Sequence, residues 1–550
     1  MPKIVLTNVT KRWGSFYAVE NLNLVIDDNS FVTLLGPSGC GKTTTLRMIA
    51  GLETPTSGKI EIGDTVVFDS ERGINIPANK RRVGFLFQNY ALWPNMTVYQ
   101  NISFGLSNVK EELPLVDYEL KNTARLIEIL DNPDKIIDLV NDCKDKKGDV
   151  DKDKAYLKFI DTFFISMFTA KKLYGIYQDI KSGPNQVKDT VQSLTKDLNL
   201  RVEENKKNNL VYNAKYEQVK DGYTVKKERK LNKEEIDLKV RAVSRIVKVG
   251  MFMDRYPAEL SGGQQQRVAI ARTLAPEPSV LFMDEPLSNL DAKLRLEMRY
   301  ELQRLHVETG STFVYVTHDQ MEAMTLATKI CLIDNGVLQM YDAPLTVYNK
   351  PNNLFVADFV GNPSINFIEA KGFQNDDGSI ELSFFDDNKA LFAFENKGLN
   401  LNLWFDERNE TNKENERIKK ERLEDKKYVE KGNKDERFKY HIQKVVEEEN
   451  TLLKEYEPVD GDFVIGIRPE FLKIEDNGSL SGIIYGAMPT GMESTIKVRL
   501  NDFLLTGVIF GATTYPIGSK VNLDITGNEI ALFDRPSGRL IGIGSLNLKK

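Results

Sequence analysis

The stretch FVTLLGPSGCGKTTTLRMIAG (residues 31–51) joins an apolar run, a glycine-rich turn and a helix-like segment. The run FVTLLG predicts a buried strand, and TTTLRMIAG predicts the helix that follows it. Between them, GPSGCGKT (36–43) fits the pattern G-x-x-x-x-G-K-[ST], in which backbone N–H groups face a phosphate at a helix N-terminus. A chance glycine turn is the alternative. The complete pattern between a strand and a helix favours a nucleotide phosphate site.

Three more apolar runs end at turn signals: VGFLFQ (83–88), SVLFMDE (279–285) and STFVYVTHD (311–319). Helix-like segments such as LRLEMRYELQRL separate several of these runs. Continuous apolar strands that alternate with helices indicate an α/β fold with a mainly parallel, doubly covered sheet. Ligands bind such sheets at the carboxyl ends of the strands, which is where the polar residues discussed next fall.

The residue types at these strand ends predict hydrolysis of ATP with Mg²⁺. Lys42 would neutralise the β- and γ-phosphates, and the Thr43 hydroxyl would ligate Mg²⁺. Asp284 would hold Mg²⁺ through water, and Glu285 would act as general base or orient the attacking water. Alternatively, the two carboxylates cap the next helix; the phosphate loop upstream favours the catalytic interpretation.

Further candidates follow from position. His318 ends a strand and could reach the γ-phosphate, while Gln88 could contact both Mg²⁺ and the water. Adenine could stack on Trp13, just before the first strands, although Phe16 and Tyr17 compete for that role and a buried core tryptophan is an alternative. The predicted ATP-binding residues are Trp13, Gly36, Pro37, Ser38, Gly39, Cys40, Gly41, Lys42, Thr43 and Thr44; the predicted metal ligands are Thr43, Gln88 and Asp284; the predicted catalytic residues are Glu285, His318 and Gln88.

Composition excludes several classes of protein. The 550 residues are enough for two or more domains, and a net charge of −6 argues against nucleic-acid binding. The three scattered cysteines suit a reducing cytoplasm. The start MPKIVLTNVTKRW lacks an apolar signal region, and no apolar run approaches the ~20 residues that a membrane span needs. The closest run, YLKFIDTFFISMFTA (156–170), is interpreted as a packed helix.

Two segments rich in Lys, Glu, Asp and Asn interrupt the pattern, at about 110–232 and 406–456. Both signs of charge are mixed, which predicts solvated helices or partly disordered insertions. The second could form a two-stranded helical hairpin. After Gly361, short strands with Gly and Asp turns predict a small barrel-like β domain.

The motifs now make the chain recognisable. GPSGCGKT, Gln88, LSGGQ (260–264), LFMDEP, SNLD (288–291) and His318 occur in the order seen in ATP-binding cassette (ABC) transporter ATPases, which the chain resembles. The resemblance implies a P-loop NTPase cassette, with a RecA-like core and a helical subdomain, that dimerises head to tail. The signature residues Ser261, Gly262, Gly263 and Gln264 would then act in trans on the partner's nucleotide, and Asp291 would be the aspartate of the family's D-loop.

NYALWPNMTVYQNISFGL, DAKLRLEMRYELQRLH, FVGNPSINF and GIRPE look like the carbohydrate-uptake importer group. This likeness implies a cassette at 1–355 with the insertion 110–232, then an OB-like regulatory β domain at 356–550 with the insertion 406–456. It further implies a homodimer or a heterodimer with a related ATPase at the cytoplasmic face of the membrane. Two permeases would bind the loop Tyr90–Pro94, an extracellular solute-binding protein would act indirectly, and no nucleic acid would bind.

Other functions share some of these features. A polyamine importer ATPase has every cassette motif, and FVGNPSINF favours carbohydrate over it. A soluble ABC ATPase acting on ribosomes or DNA would usually carry two cassettes or a very long coiled coil, and neither pattern occurs here. A regulatory scaffold that sequesters a transcription factor through the β domain could coexist with transport.

Overall fold

The computed structural model describes residues 2–107, 110–145, 147–181, 184–385, 388–424, 429–432, 438–445, 457–511 and 515–549. The chain divides into two compact units: residues 1–81 with 312–550, and residues 82–311. Across the ranges just given, no helix combines the length and the apolar character that crossing a membrane would require.

The first part of unit 1 holds six strands and one helix. They are β1 (Ile4–Trp13), β2 (Phe16–Ile26), β3 (Phe31–Leu35), α1 (Lys42–Ala50), β4 (Ser57–Ile62), β5 (Thr65–Asp69) and β6 (Ile74–Asn75), followed by a 3-10 turn at Ala78–Lys80. Strands β1, β2, β4, β5 and β6 form one sheet in the order β2-β1-β4-β5-β6.

Unit 2 is mainly helical. Its elements are β7 (Gly84–Leu86), α2 (Val98–Ser103), β8 (Lys110–Pro114), α3 (Tyr118–Leu130), α4 (Pro133–Asn141), α5 (Lys152–Phe163), α6 (Met167–Ile180), α7 (Pro184–Lys207), β9 (Val211–Tyr212), β10 (Gln218–Lys220), β11 (Tyr223–Thr224), β12 (Lys226–Lys230), α8 (Lys233–Ile246), α9 (Gly262–Leu274), β13 (Val280–Asp284) and α10 (Ala292–Thr309), with 3-10 turns at Gly250–Phe252 and Pro257–Glu259.

The second part of unit 1 carries most of the strands. Its elements are β14 (Thr312–Val316), α11 (Gln320–Leu326), β15 (Lys329–Asp334), β16 (Val337–Asp342), α12 (Pro344–Asn349), α13 (Leu354–Phe359), β17 (Asn366–Gln374), β18 (Ile380–Phe384), β19 (Asn388–Phe394), α14 (Leu401–Glu424), β20 (Asp462–Ile467), a 3-10 turn at Pro469–Phe471, β21 (Leu472–Ile474), β22 (Leu480–Pro489), β23 (Glu493–Leu500), β24 (Phe503–Phe510), β25 (Lys520–Ile525), β26 (Ile530–Asp534) and β27 (Leu540–Lys549).

The predicted parallel strands are confirmed within each unit. In unit 1, β3 pairs in parallel with β14 and with β15, and β16 pairs with β15 antiparallel. In unit 2, β7 and β13 pair in parallel. Every residue of β3, β13 and β14 is buried, as expected for strands covered on both faces. The predicted helices after GPSGCGKT and SNLD are α1 and α10.

The C-terminal β-rich region is confirmed as well. Strands β17, β18, β19, β27, β26 and β20 close a barrel, and β21, β25, β22, β23 and β24 form a second sheet. The short helix α13 separates two clusters of buried side chains. Its Leu354 and Ala357 pack with barrel residues such as Phe533, and its Phe355 and Val356 pack with Leu332. Helix α13 therefore contributes buried side chains to both clusters.

The segment 110–232 has a core of its own, which its charged composition conceals. Helices α3 to α6 bury apolar side chains around Phe159, Leu173 and Ile136. At its two ends, β8 and β12 pair antiparallel over five residues each. The sequence predicted one packed helix for the run 156–170, and this prediction is wrong, because the run contains parts of two helices. Helix α5 ends at Phe163, Phe164 has a φ of 54°, and the Ser166 side chain caps α6.

In the second charged segment, helix α14 begins at Leu401, before the expected residue 406. Leu401 is buried, and Arg408 bonds both carboxylate oxygens of Asp534 at 3.0 and 3.1 Å, so the start of this helix belongs to the β-rich core. The helical-hairpin alternative is wrong for residues 438–445, which are not helical and form a bridge between Lys444 and Phe503. The stretches 425–428, 433–437 and 446–456 lie outside the described residues.

The arginine of GIRPE has a structural role. Arg468 is 3% exposed and donates to the carbonyl oxygens of Ala357, Val360 and Tyr348. Its guanidinium also lies 4.0 Å from the centre of the Tyr348 ring. Since these carbonyls belong to α12, α13 and the residue after it, Arg468 fastens both helices to the barrel.

We expect Arg468→Ala to destabilise unit 1. It would leave three buried carbonyls without their donor, at about 1–3 kcal/mol each. The melting temperature should fall by about 6 °C or more, measured by differential scanning calorimetry. Arg417→Ala is the control, because that side chain on α14 is 66% exposed and should change stability by less than about 0.5 kcal/mol. Equal melting temperatures for the two variants would contradict this role.

Candidate functional site

The backbone of the phosphate loop leaves no room for side chains at two of its glycines. A Cβ on Gly36 would lie 2.1 Å from the Ile333 carbonyl oxygen, and one on Gly41 would lie 2.2 Å from that of Ala18. Gly41 also has a φ of 102° as it caps α1. These positions therefore require glycine, and the turn that results directs the start of α1 toward the loop. Such a turn fits a phosphate group.

Lys42 lies inside this loop, with 6% of its surface exposed. Its ammonium donates to the carbonyl oxygens of Gly36 (2.7 Å) and Pro37 (2.8 Å) and lies 3.8 Å from the Cys40 sulfur. Burial raises the pKa of the Cys40 thiol, which is 4% exposed. Ser38 and Gly39 are exposed, while Pro37, Thr43 and Thr44 are half-buried. The predicted phosphate-binding residues thus share one loop.

The hairpin between β1 and β2 carries the predicted adenine platform. Trp13 ends β1 rather than preceding the first strands, and it is 50% exposed, so it is not a core tryptophan. The Lys11 ammonium lies 5.2 Å from the centre of its ring. Phe16 is 47% exposed, but Tyr17 is buried and donates its hydroxyl to the Val429 carbonyl. Tyr17 is therefore not available to stack on a base, whereas Trp13 and Phe16 are exposed.

His318 is exposed in the turn between β14 and α11. This turn is fixed by Glu322, which is 4% exposed and accepts hydrogen bonds from the hydroxyls of Tyr315 and Thr317, both at 2.7 Å. Asp319 then caps α11 by accepting from the N–H groups of Met321 and Glu322. Sequence reasoning missed Glu322, because nothing in its local pattern shows that it is buried.

In unit 2, Gln88 and Glu285 follow the carboxyl ends of two adjacent parallel strands. The register pairs Leu86 of β7 with Met283 of β13, so both chains leave the sheet at the same edge. The Gln88 amide donates to the Glu285 carboxylate at 3.3 Å. Asp284 is 4% exposed, and Glu285 is half-buried. The predicted base and its amide neighbour are therefore in contact.

The turn after Glu285 fixes this carboxylate. Glu285 has a φ of 45°, an uncommon conformation for a residue with a side chain, and its carbonyl accepts from the Ser288 hydroxyl at 2.9 Å. Asn289 donates to the Gln88 carbonyl at 3.1 Å. Asp291 caps α10 through the Leu294 N–H. The carboxylates do not cap the next helix, because Asp291 does.

The signature turn begins α9 with a reciprocal cap. The Gln264 side chain accepts from the Ser261 N–H at 3.0 Å, and the Ser261 hydroxyl accepts from the Gln264 N–H at 3.4 Å. A Cβ on Gly263 would lie 2.5 Å from a Leu294 methyl group, so α10 packs closely under this turn. Ser261 and Gly262 remain exposed. The turn presents a helix N-terminus to its surroundings.

Arg272, on the signature helix, holds the loop that follows Gln88. Its guanidinium donates to the carbonyls of Tyr90 (2.8 Å) and Ala91 (2.6 Å), whose φ angles are 60° and 46°. Burial lowers the pKa of Arg272. Further along, Asn101 donates to the carbonyl of Trp93, which is 46% exposed. Sequence reasoning did not single out either residue: Arg272 lies outside the short motifs, and Asn101 lies in the stretch 89–106 without a pattern that shows its contact with Trp93.

The comparisons with known proteins give the family of the chain. The family model described as ABC transporter matches residues 19–156 and 170–288. A trehalose/maltose import ATP-binding protein of Thermococcus litoralis is 35% identical over 385 residues, which are 70% of this chain and 71% of that protein. The chain belongs to the ABC transporter ATP-binding protein family.

Two more relatives name different solutes. A xylose/arabinose import ATP-binding protein of Haloferax volcanii is 37% identical over 67% of this chain and 63% of its own length. A spermidine/putrescine import ATP-binding protein of Aster yellows witches'-broom phytoplasma is 37% identical over 68% of this chain and 76% of its own length. These two relatives are equally identical to the chain, although one is named for sugars and the other for polyamines.

We expect Glu285→Gln to bind ATP and to hydrolyse it slowly. The amide keeps the shape of the side chain but cannot accept a proton, so turnover should fall on the order of 10²–10⁴-fold. Steady-state phosphate release and nucleotide binding would measure the two effects. Glu297→Gln, at an exposed site on α10, should retain wild-type turnover. Turnover by Glu285→Gln within a few-fold of the wild type would contradict the assigned role.

Proposed function

We propose that this ABC family member hydrolyses ATP in the presence of Mg²⁺ and thereby drives the import of sugars or sugar phosphates. The observation that carries the proposal is the contact between Gln88 and Glu285 at the ends of two parallel strands. A carboxylate held there by an amide neighbour suits a group that orients and deprotonates water.

Each polar residue has a separate role. Lys42 neutralises the β- and γ-phosphates. To do so, its ammonium gives up its hydrogen bonds to the loop carbonyls and donates to phosphate oxygens instead. Thr43 in the phosphate loop, and Gln88 and Asp284 at the strand ends of unit 2, are the candidate Mg²⁺ ligands, Asp284 through water; when bound, the ion would neutralise charge at the phosphates. Glu285 accepts the proton of the attacking water. His318 contacts the γ-phosphate from a turn that Glu322 keeps in place.

Sugars are favoured over polyamines as the solute. Two of the three relatives described above are named for sugars and one for polyamines. The segment FVGNPSINF (359–367) resembles the carbohydrate group, and its Gly361 N–H bonds the side chain of Gln320, just after His318. This hydrogen bond ties the segment to the start of α11, two residues after His318.

The transport partners would be two membrane permeases at the cytoplasmic face, with a solute-binding protein acting outside. We propose that the permeases bind the loop Tyr90–Pro94. Arg272 holds this loop on the signature helix, and Trp93 and Phe104 offer aromatic surface, with ring centres 5.5 Å apart and more than 40% of each side chain exposed. Exposed aromatic side chains are common anchors in protein interfaces.

We expect solute-dependent ATP hydrolysis in the complete transporter to identify the solute class. The tagged chain would be purified from native membranes with its permeases, identified by mass spectrometry and reconstituted in liposomes with the solute-binding protein. Maltose, xylose, glycerol phosphate and spermidine would be tested in turn. Stimulation by a sugar or a sugar phosphate agrees with the proposal, and stimulation by spermidine alone would replace it with the polyamine alternative.

We further propose that the active form is a head-to-tail dimer in which the signature turn faces the partner's nucleotide. Ser261 and Gly262 are exposed, and their helix N-terminus attracts anions. A homodimer meets this arrangement, and so does a heterodimer with a related ATPase. Cross-linking through cysteines can test this arrangement. The native Cys40 of the phosphate loop is a poor site for a cross-linker, because it is buried and its thiol has a raised pKa.

The exposed Ser38 gives a better cross-linking site than Cys40. The variant Ser38→Cys/Ser261→Cys/Glu285→Gln should give, with a short bis-thiol linker and Mg-ATP, a species of twice the 62.5 kDa chain mass. The native cysteines Cys40, Cys143 and Cys331 are buried and should react slowly. Each single-cysteine variant should lose the band. Efficient linkage at monomer mass would show that the signature acts within one chain and would overturn the dimer.

A further inference from the structure

Part of the charged segment 406–456 touches the nucleotide-binding part of unit 1. Residues 429–432, here called the strap, lie along the hairpin of β1 and β2. The Tyr17 hydroxyl donates to the Val429 carbonyl at 2.8 Å, and the Gly432 N–H donates to the Ser15 carbonyl at 2.8 Å. Two hydrogen bonds thus join the strap to the hairpin that carries Trp13.

An ion pair adds to these hydrogen bonds. The Lys431 ammonium lies 3.0 Å from the Glu20 carboxylate, and the two side chains are only 10% and 16% exposed. An ion pair that is largely shielded from water is stronger than one at an open surface, and it loses more when one partner is removed. The contact is therefore a good candidate for a specific interaction.

The hairpin residues that the strap holds also lie against the phosphate loop. The Ala18 carbonyl occupies the space in which a Gly41 Cβ would stand. The Glu20 N–H donates to the Gly336 carbonyl at 2.9 Å, and the Gly336 N–H donates to the Cys40 carbonyl at 3.1 Å. Residues 17–20 thus contact the strap, the phosphate loop and Gly336, which itself bonds that loop.

The chain on both sides of the strap is anchored in the β-rich region. Before it, Arg408 of α14 pairs with Asp534 and Asp460. After it, the Phe438 ring lies 5.5 Å from that of Phe355, and the Tyr440 hydroxyl donates to Glu369 at 2.7 Å. A segment fixed to the β-rich region therefore reaches the nucleotide hairpin of the same chain.

We propose that the strap is a positioning element for the nucleotide base, through which the β-rich region sets the affinity for ATP. This inference rests on the proposed function, since it assumes that Trp13 stacks on adenine. The strap holds the hairpin and thereby the tip from which Trp13 projects. Lys431 and Glu20 act through the hairpin and do not touch the nucleotide.

Charge exchange in the full-length protein tests the proposal. Lys431→Ala and Glu20→Ala should each raise the dissociation constant of ATP about three- to tenfold, as expected for the loss of an ionic hydrogen bond that is largely shielded from water. The turnover number should stay within about twofold of the wild type, since no catalytic group changes. The exchange Glu20→Lys/Lys431→Glu should restore much of the affinity.

Two further measurements separate positioning from a general loss of structure. Inorganic tripolyphosphate lacks a base, so its competition with a labelled nucleotide should change less than about twofold in Lys431→Ala. Tyr17→Phe removes only a hydroxyl and should weaken ATP in the same selective way. Lys350→Ala is the control, because its ion pair with Glu395 is exposed on the β-rich surface.

The outcomes are distinct. If the wild type binds ATP and both alanine variants bind it equally well, the strap inference is wrong and the proposed function stands. An equal loss of ATP and tripolyphosphate affinity also overturns the inference, because the strap would then act on the whole loop. If the wild type binds no ATP, the proposed function itself fails.

Discussion

The backbone of the phosphate loop is the constraint on which the nucleotide site of unit 1 depends. Gly36 is pressed against the carbonyl of Ile333 and Gly41 against that of Ala18, so strands β15 and β2 define the course of the loop from outside it. Strand β15 is fixed in turn by its parallel pairing with the buried strand β3, and β2 by its antiparallel pairing with β1. Lys42 is then held inside the loop by hydrogen bonds to the Gly36 and Pro37 carbonyls, which reduces the entropic cost of ordering its long side chain when an anion binds.

Unit 2 positions its carboxylate by the same logic. Strand pairing brings Gln88 and Glu285 to one edge, and the left-handed conformation of Glu285 is fixed by Ser288 and by the turn to α10. Leu294 of α10 packs under Gly263, so the turn after β13 and the start of the signature helix are joined through α10. A shift of either one must displace the other, because a close-packed contact has no slack to absorb it.

Local patterns predicted most of these features, and long-range contacts account for what they missed. The phosphate loop, Glu285 and Ser261 belong to short motifs. Their positions depend on neighbouring residues in the chain, so the sequence alone was enough to predict them. Arg272 contacts a loop far away along the chain, and the role of Glu322 depends on its burial. A short stretch of sequence shows neither property. The run 156–170 misled because apolar content does not reveal the break at Phe164. The contact of Lys431 with Glu20 joins residues more than 400 positions apart and has no local signal at all.

The insertion 110–232 shows why a long segment can be added here without disturbing the fold around it. The antiparallel pair β8 and β12 brings the two ends of the insertion together. The insertion therefore behaves as a closed loop, and the entropic cost of closing a loop grows slowly with its length. Its own core around Phe159 offsets the ordering of its helices. Yet it is not detached, since the Met167 N–H bonds Asp237 at 2.6 Å and Ser166 bonds Glu234, both on α8. Helix α8 packs against the signature helix α9, so any ligand that moves the insertion would act on α9 through a single intervening helix.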